Sequence, residues 1–133
     1  MVAFISGHRN LTDQEFFDKY KALIDQAVER GDSFVICDYE GADELAQRYL
    51  HFGHNYTKVT VYHMFDAPRR LINPKWQILG GFQSDVERDA QCTKDSDYDI
   101  AWSRRTGSGT EQNLQRREMF HKLDLFTKAK KGS

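Results

Sequence analysis

Hydrophobic and polar positions along the chain follow two periods in turn. The segments "VAFIS" (2–6), "SFVICD" (33–38), "KVTVYHM" (58–64) and "YDIAWS" (98–103) are short apolar runs rich in strand formers. Such runs are the pattern of strands buried on both faces. Between them the spacing lengthens to that of helices. In "LTDQEFFDKYKALIDQAVERGD", Phe16, Tyr20, Leu23, Ile24, Ala27 and Val28 recur on one face, Thr12 and Glu15 make a capping box, and Gly31 closes the element. A second helix is predicted over 41–53 with Leu45, Ala46, Tyr49 and Leu50 inward, and a third over 84–96 behind the capping box of Ser84 and Glu87. A last helix starts near Thr110 and turns Leu114, Met119, Phe120 and Leu123 inward.

Strands alternating with helices across short connections build a parallel sheet covered by helices. The predicted fold is therefore α/β, a Rossmann-like three-layer αβα sandwich whose mainly parallel sheet has four or five strands. Residues 65–83 hold both prolines, Arg69, Arg70, Trp76 and Gly80-Gly81 and follow neither period. They are expected to form a long loop, with exposed Trp76 and Phe82 as a dimer contact. Residues 1–126 make one domain, and "TKAKKGS" (127–133) a flexible basic tail.

Composition narrows the function. A chain of 133 residues encloses one core, and 39% hydrophobic with 29% charged residues is the balance of a globular protein. A net charge of -1 gives no general attraction to nucleic acid or to an acidic membrane surface. No apolar run approaches the ~20 residues that span a bilayer, and the first residues lack the pattern of a signal peptide, so the expected location is cytoplasmic. Cys37 sits in an apolar run and Cys92 in a helical pattern, where buried free thiols are expected in place of a disulfide. Their spacing is not that of a zinc site, no metal is expected, and no motif calls for a cofactor.

Ligands of an open parallel sheet bind beyond the carboxyl ends of its strands. The loops at that edge are "GHRN" (7–10), "DYEGAD" (38–43), the long segment, and "RRTGSGT" (104–110). Gly107, Ser108, Gly109 and Thr110 stand ahead of a helix, where close backbone approach, N–H groups and the helix dipole suit a phosphate. The same residues also make ordinary turns. Arg104 and Arg105 add charge there, and His8 and Arg9 after Gly7 are placed to contact the same anion. Arg88, on the helix entered through Ser84, is flanked by Asp85, Glu87 and Asp89. It belongs either to an exposed ion-pair face or to the cleft. His51 and His54 straddle Gly53 and are expected to be surface or capping groups.

The stretches "FISGHRNLTDQEF", "GADELAQRYL", "ERDAQCT", "SDYDIAW" and "GSGTEQNLQRR" resemble the small Rossmann-like proteins of the SLOG superfamily, which unites DprA-like proteins with the LOG phosphoribohydrolases. The resemblance covers nearly all of the chain except its tail. It implies a nucleoside phosphate or ADP-ribose-like ligand, phosphate held on the glycine-threonine loop, and a homo-oligomer, frequently a dimer. LOG enzymes hydrolyse the N-glycosidic bond of nucleoside 5′-monophosphates with an arginine and a Gly-x-Gly-Thr-x-x-Glu loop. Arg88, Gly107, Gly109 and Thr110 match that signature, whereas Asn113 stands where the family has its catalytic glutamate.

An amide can hold a ribose hydroxyl but can neither take a proton nor offset the charge of a cationic sugar. Hydrolysis would need another carboxylate. Glu111, Asp43, Asp38, Glu40 and Asp85 all fall near the expected rim, and Glu111 also suits the dipole of its own helix. Three functions follow: nucleotide binding without turnover, N-glycosidic hydrolysis with Arg88 and either Glu111 or Asp43, and an assembly module whose glycine-rich loop is only a turn.

Overall fold

The computed structural model describes residues 1–104 and 108–131, with side chains through His121. Five strands, β1 (Val2–Ile5), β2 (Ser33–Cys37), β3 (Val59–Met64), β4 (Gln77–Phe82) and β5 (Tyr98–Ile100), form one sheet in the order β4-β3-β2-β1-β5. Every pairing is parallel. The chain steps outward from β1 to β4 and then returns to the far side of β1, so the strand order reverses between β1 and β5.

Helices α1 (Asp13–Lys19), α2 (Lys21–Arg30), α3 (Ala42–Arg48), α4 (Asp85–Lys94) and α5 (Gly109–Lys131) complete the Rossmann-like sandwich. Alternate strand residues supply its two cores. Ala3, Ile5, Phe34, Ile36, Val59, Val61 and Ile100 pack with Phe16, Tyr20, Ile24 and Ala46 on one face. Phe4, Val35, Cys37 and Tyr62 meet Cys92 of α4 on the other. Burial on both faces is why the strands read as continuous apolar runs. Among the described residues, no helix is long and apolar enough to cross a membrane.

The long segment is not all loop. It contains β4, which the sequence concealed because "QILGGF" lies at the sheet edge with little burial on either face and so carries no alternation. Gly80 is required there, since a Cβ would collide with the His63 ring, and Gly81 takes φ +89 beside an irregularity in the β3–β4 register. Trp76 is buried, with its indole N–H donating to the Tyr56 carbonyl at 2.8 Å, and is not an exposed contact. Ile78 and Leu79 of β4 are exposed in its place, at 48% and 43%.

Other boundaries also shift. The helix expected over 41–53 becomes α3 followed by a π-helical turn, Tyr49–Gly53. Met119 and Phe120 are exposed because the inner face of α5 is polar as far as His121, with Thr110, Asn113 and Arg117 the buried positions among the described side chains, and Leu123, also expected inward, lies outside them. Arg117 donates to Asp99 Oδ2 at 3.2 Å and to the carbonyl of Ser96 at 2.8 Å. α5 runs through Lys131, so the boundary expected after residue 126 falls inside a helix, while residues 132 and 133 lie outside the described part.

The first predicted helix is broken at Tyr20 into α1 and α2, and Leu23 is 45% exposed. Tyr20 itself is buried, and its hydroxyl donates to the carbonyl of Ser6 at 2.8 Å while accepting from the N–H of Trp102 at 3.0 Å. Ser6 follows β1 and Trp102 follows β5. One hydroxyl thus satisfies a backbone acceptor and a backbone donor at the point where two neighbouring strands part. Tyr20→Phe strands both groups and is expected to lower the unfolding free energy by about 1–3 kcal/mol. Urea denaturation of the two proteins measures it, and equal midpoints would show that the bridge contributes nothing.

Candidate functional site

Where β1 and β5 separate, the chain leaves the sheet through tightly packed loops. A Cβ at Gly7 would collide with the Tyr20 hydroxyl and stand 2.6 Å from Ala42 Cβ, so only glycine passes there. Gly41, at φ +78, has the backbone of Arg9 where its side chain would be. The carbonyl of His8 accepts from the N–H of Leu11 at 3.2 Å and of Ala42 at 3.0 Å, and His8 Nε2 accepts from the N–H of Arg104 at 2.8 Å. These contacts tie the loops after β1, β2 and β5 together. Between them opens a cavity of about 550 Å³ at the reversal of strand order, the usual place for a ligand in this architecture.

Nine predicted site residues line that cavity: Gly7, His8, Arg9, Asp43, Arg88, Ser108, Gly109, Thr110 and Asn113. Ser84 does not. It is exposed, and its hydroxyl caps α4 by accepting from the N–H of Glu87 at 3.1 Å. Glu111 is not in the lining either; its carboxylate accepts from Gln115 Nε2 at 3.3 Å. Gly107 and Arg105 lie outside the described residues. Arg104, expected to add charge at this loop, lines the cavity too, and the lining also includes Ser6, Cys37, Tyr39 and Asp89, which sequence reasoning did not put at a ligand.

At the mouth of α5, Ser108 acts as the helix cap. Its hydroxyl accepts from the N–H of Glu111 at 3.1 Å, and its carbonyl accepts the first intrahelical bond, from Gln112, at 3.0 Å. The N–H groups of Gly109 and Thr110 precede that bond at the positive end of a helix of 23 residues. Among the described residues, a Cβ on Gly109 would meet nothing within 4 Å. Packing therefore explains Gly7 and Gly41 but not Gly109.

The cations divide by role. Arg104 donates through Nε to Glu15 Oε2 at 2.9 Å and through Nη1 to Asn10 Oδ1 at 2.9 Å, fastening the last loop to α1. The guanidinium of Arg104, with the Thr12 N–H, holds the Glu15 carboxyl down at about 2. Arg9 is exposed and makes no ion pair among the described residues, which leaves its charge available to a ligand.

Arg88 is buried and is no exposed ion-pair face. Its Nη1 lies 3.1 Å from both Asp38 Oδ1 and Asp85 Oδ1, and its Nη2 lies 3.1 Å from Asp89 Oδ1. Asp38 is fully buried at the end of β2 and also accepts from the Arg69 N–H at 2.8 Å and Nη2 at 2.9 Å. Burial opposes its ionisation, and Arg69 with Arg88 overcomes that, holding its carboxyl below the ordinary value. Arg88 thus cross-links α4 to β2 behind the cavity. The partnership of Asp38 with Arg69 spans 31 residues and has no local signal in the sequence.

Asp43 is the carboxylate that differs. It is buried in the first turn of α3 and accepts from the N–H of Tyr39 at 3.2 Å. Burial pushes its carboxyl up to about 7, against the nearby charge of Arg88. Of the acids expected at the rim, Asp43, Glu40 and Asp85 line the cavity, while Asp38 is engaged behind it. Cys37 and Cys92 are both buried and free, as expected, and distant in sequence they meet with sulfurs 3.6 Å apart. The bond to Cys92 and burial push the Cys37 thiol up, which makes it a poor nucleophile. Among the described residues, no three His, Cys, Asp or Glu side chains are grouped to hold a metal ion.

Comparison with family models, with curated proteins and with solved structures finds no match to this chain. The site has to be understood from its own chemistry.

The unfolded chain ionises Asp43 near 3.8, the folded protein near 7, so the folded state binds the proton more tightly. Stability accordingly falls as pH rises between those values and levels off above the higher one. Asp43→Asn keeps the acceptor for Tyr39 and removes this dependence. Its advantage in thermal midpoint over the native protein is expected to be small at about pH 4.5 and several degrees at about pH 8. An unchanged difference between the two would show that Asp43 is not a buried acid.

Proposed function

We propose that the protein binds a nucleotide or a nucleotide-derived molecule, a nucleoside phosphate or an ADP-ribose-like ligand, in this cleft, as a SLOG-type domain. The observation that carries the proposal is the mouth of α5. Its leading N–H groups open onto a cavity of about 550 Å³ through a glycine that neither packing nor positive φ requires. A backbone bare of side chain at a helix start is what close approach of a phosphate needs. Arg9 supplies a positive charge to the lining of the same cavity, and the volume falls within the usual range for small-molecule sites. Arg88 orients the acidic wall, because its donors are already given to Asp38, Asp85 and Asp89.

Asp43 favours a second reading, N-glycosidic hydrolysis of nucleoside 5′-monophosphates. A carboxyl that exchanges its proton near neutrality and lines the cavity can protonate a departing base. Asn113, in the place of the family glutamate, donates to Asp89 Oδ2 at 3.4 Å and accepts from Arg116 at 2.7 Å, so it supports a neighbouring acid and does not itself supply one.

Calorimetry with nucleoside monophosphates and ADP-ribose tests the first reading, with unphosphorylated nucleosides as the control. Phosphate-dependent heat is expected, and silence across the whole panel would overturn binding. Gly109→Ala places a methyl group in the approach path and is expected to weaken binding about tenfold while leaving the thermal midpoint equal or slightly raised. Hydrolysis is checked by chromatography for free base, which Asp43→Asn should abolish. Arg88→Ala is the wrong probe, since it leaves Asp38 buried with half of its compensation gone. Absence of free base would remove the hydrolytic reading and leave binding standing.

A further inference from the structure

We propose that Ser6 and Asp43, on the floor of the cleft, read the 2′,3′-diol of a ribose, which makes the ligand a ribonucleotide and excludes its 2′-deoxy counterpart. The inference rests on the nucleotide reading above and adds the sugar to it. Ser6 lines the cavity and is buried, and its hydroxyl has no hydrogen-bond partner among the described residues. A buried hydroxyl left without a partner destabilises the fold, so such groups in native proteins call for an explanation. Its backbone is already committed: the N–H donates to the Ile100 carbonyl at 3.1 Å and the carbonyl accepts from Tyr20 at 2.8 Å. The hydroxyl alone is unspent.

Asp43 lines the same cavity, and its carboxylate, with room for about four donors, receives one from Tyr39. The missing groups are therefore donors for a carboxylate and a partner for a hydroxyl, on two segments that meet where Gly7 packs against Ala42. Vicinal ribose hydroxyls, each donor and acceptor at once, provide both. Among the described residues, none of the buried side chains in the lining is aromatic, so none offers a face on which a base could stack, whereas Tyr39 and His8 are only half-buried. That division places sugar at the floor and base nearer the opening. The raised carboxyl of Asp43 agrees with a group that ionises fully when ligand donors reach it.

Calorimetry of the full chain with ribonucleoside monophosphates and their 2′-deoxy counterparts, each base in both forms, provides the test. Loss of the 2′-hydroxyl is expected to weaken binding about tenfold or more. Ser6→Ala and Asp43→Ala should each bring the ratio of ribo to deoxy affinity toward one. Ser6→Ala is also expected to keep or raise the thermal midpoint, since it removes an unpartnered buried hydroxyl, and so separates a ligand role from a structural one. Equal affinities in the native protein, or a ratio that survives both substitutions, would overturn the proposal while nucleotide binding stands. Absence of binding by every member of both series would instead overturn the nucleotide reading itself.

Discussion

The hydroxyl of Tyr20 holds apart two strands that the sheet otherwise holds together. β1 and β5 are neighbours in one parallel ladder, yet their chains must leave it in different directions for a cleft to exist between them. Leaving the ladder strands polar backbone groups in a buried region, which is expensive unless something else bonds them. Tyr20 satisfies one on each side, the Ser6 carbonyl and the Trp102 N–H. To reach both, it stands at the junction of α1 and α2, and Gly7 must carry no side chain because the hydroxyl occupies that space. A helix break, a glycine and the shortness of β5 thus share one cause.

Charge around the cleft is arranged so that most of it is already neutralised inside the protein. Arg88 faces three carboxylates, and Arg104 is fastened to Glu15. These pairs fix the walls and leave little field for a ligand. What remains among the described residues is the dipole of α5 with Arg9, Glu40 and the buried Asp43, all in the lining. Cation and helix mouth suit an anion, and a buried carboxyl suits hydroxyl or N–H donors. A ligand that carries both a negative group and hydroxyl donors fits that mixed lining better than a simple anion does.

Much of the fold could be read in the chain because burial on both faces leaves a plain mark. β1, β2 and β3 are unbroken apolar runs, and the caps at Thr12 and Ser84 stand where α1 and α4 begin. β4 escaped because an edge strand exposed on both faces has no period. The inner face of α5 escaped for the opposite reason: it is buried through Thr110, Asn113 and Arg117, polar groups that pattern reading assigns to solvent. At the site, the glycines and helix starts that line the cavity could be read from the chain because they are local features. Ser6 and the bond of Asp38 to Arg69 depend on contacts between distant segments, and Ser84 looked like a ligand group only because a cap and a binding hydroxyl share one residue type.

The glycines sort structure from function more sharply than the charged residues do. Gly7, Gly41 and Gly80 are each filled by a neighbour, respectively Tyr20, the backbone of Arg9 and the ring of His63, so a side chain there would break the fold. Gly109 has no neighbour among the described residues where its Cβ would stand. Glycine in the first turn of a helix costs conformational entropy relative to alanine, and here no packing or positive φ offsets that cost. Stability gives no reason to keep it, whereas a ligand that must touch the N–H groups ahead of the first intrahelical bond does. Ser6 makes the same case from the other end of the cavity, being a buried hydroxyl that the folded chain leaves without a partner. Two groups that each cost stability, facing one cleft, are better explained by a bound molecule than by the fold alone.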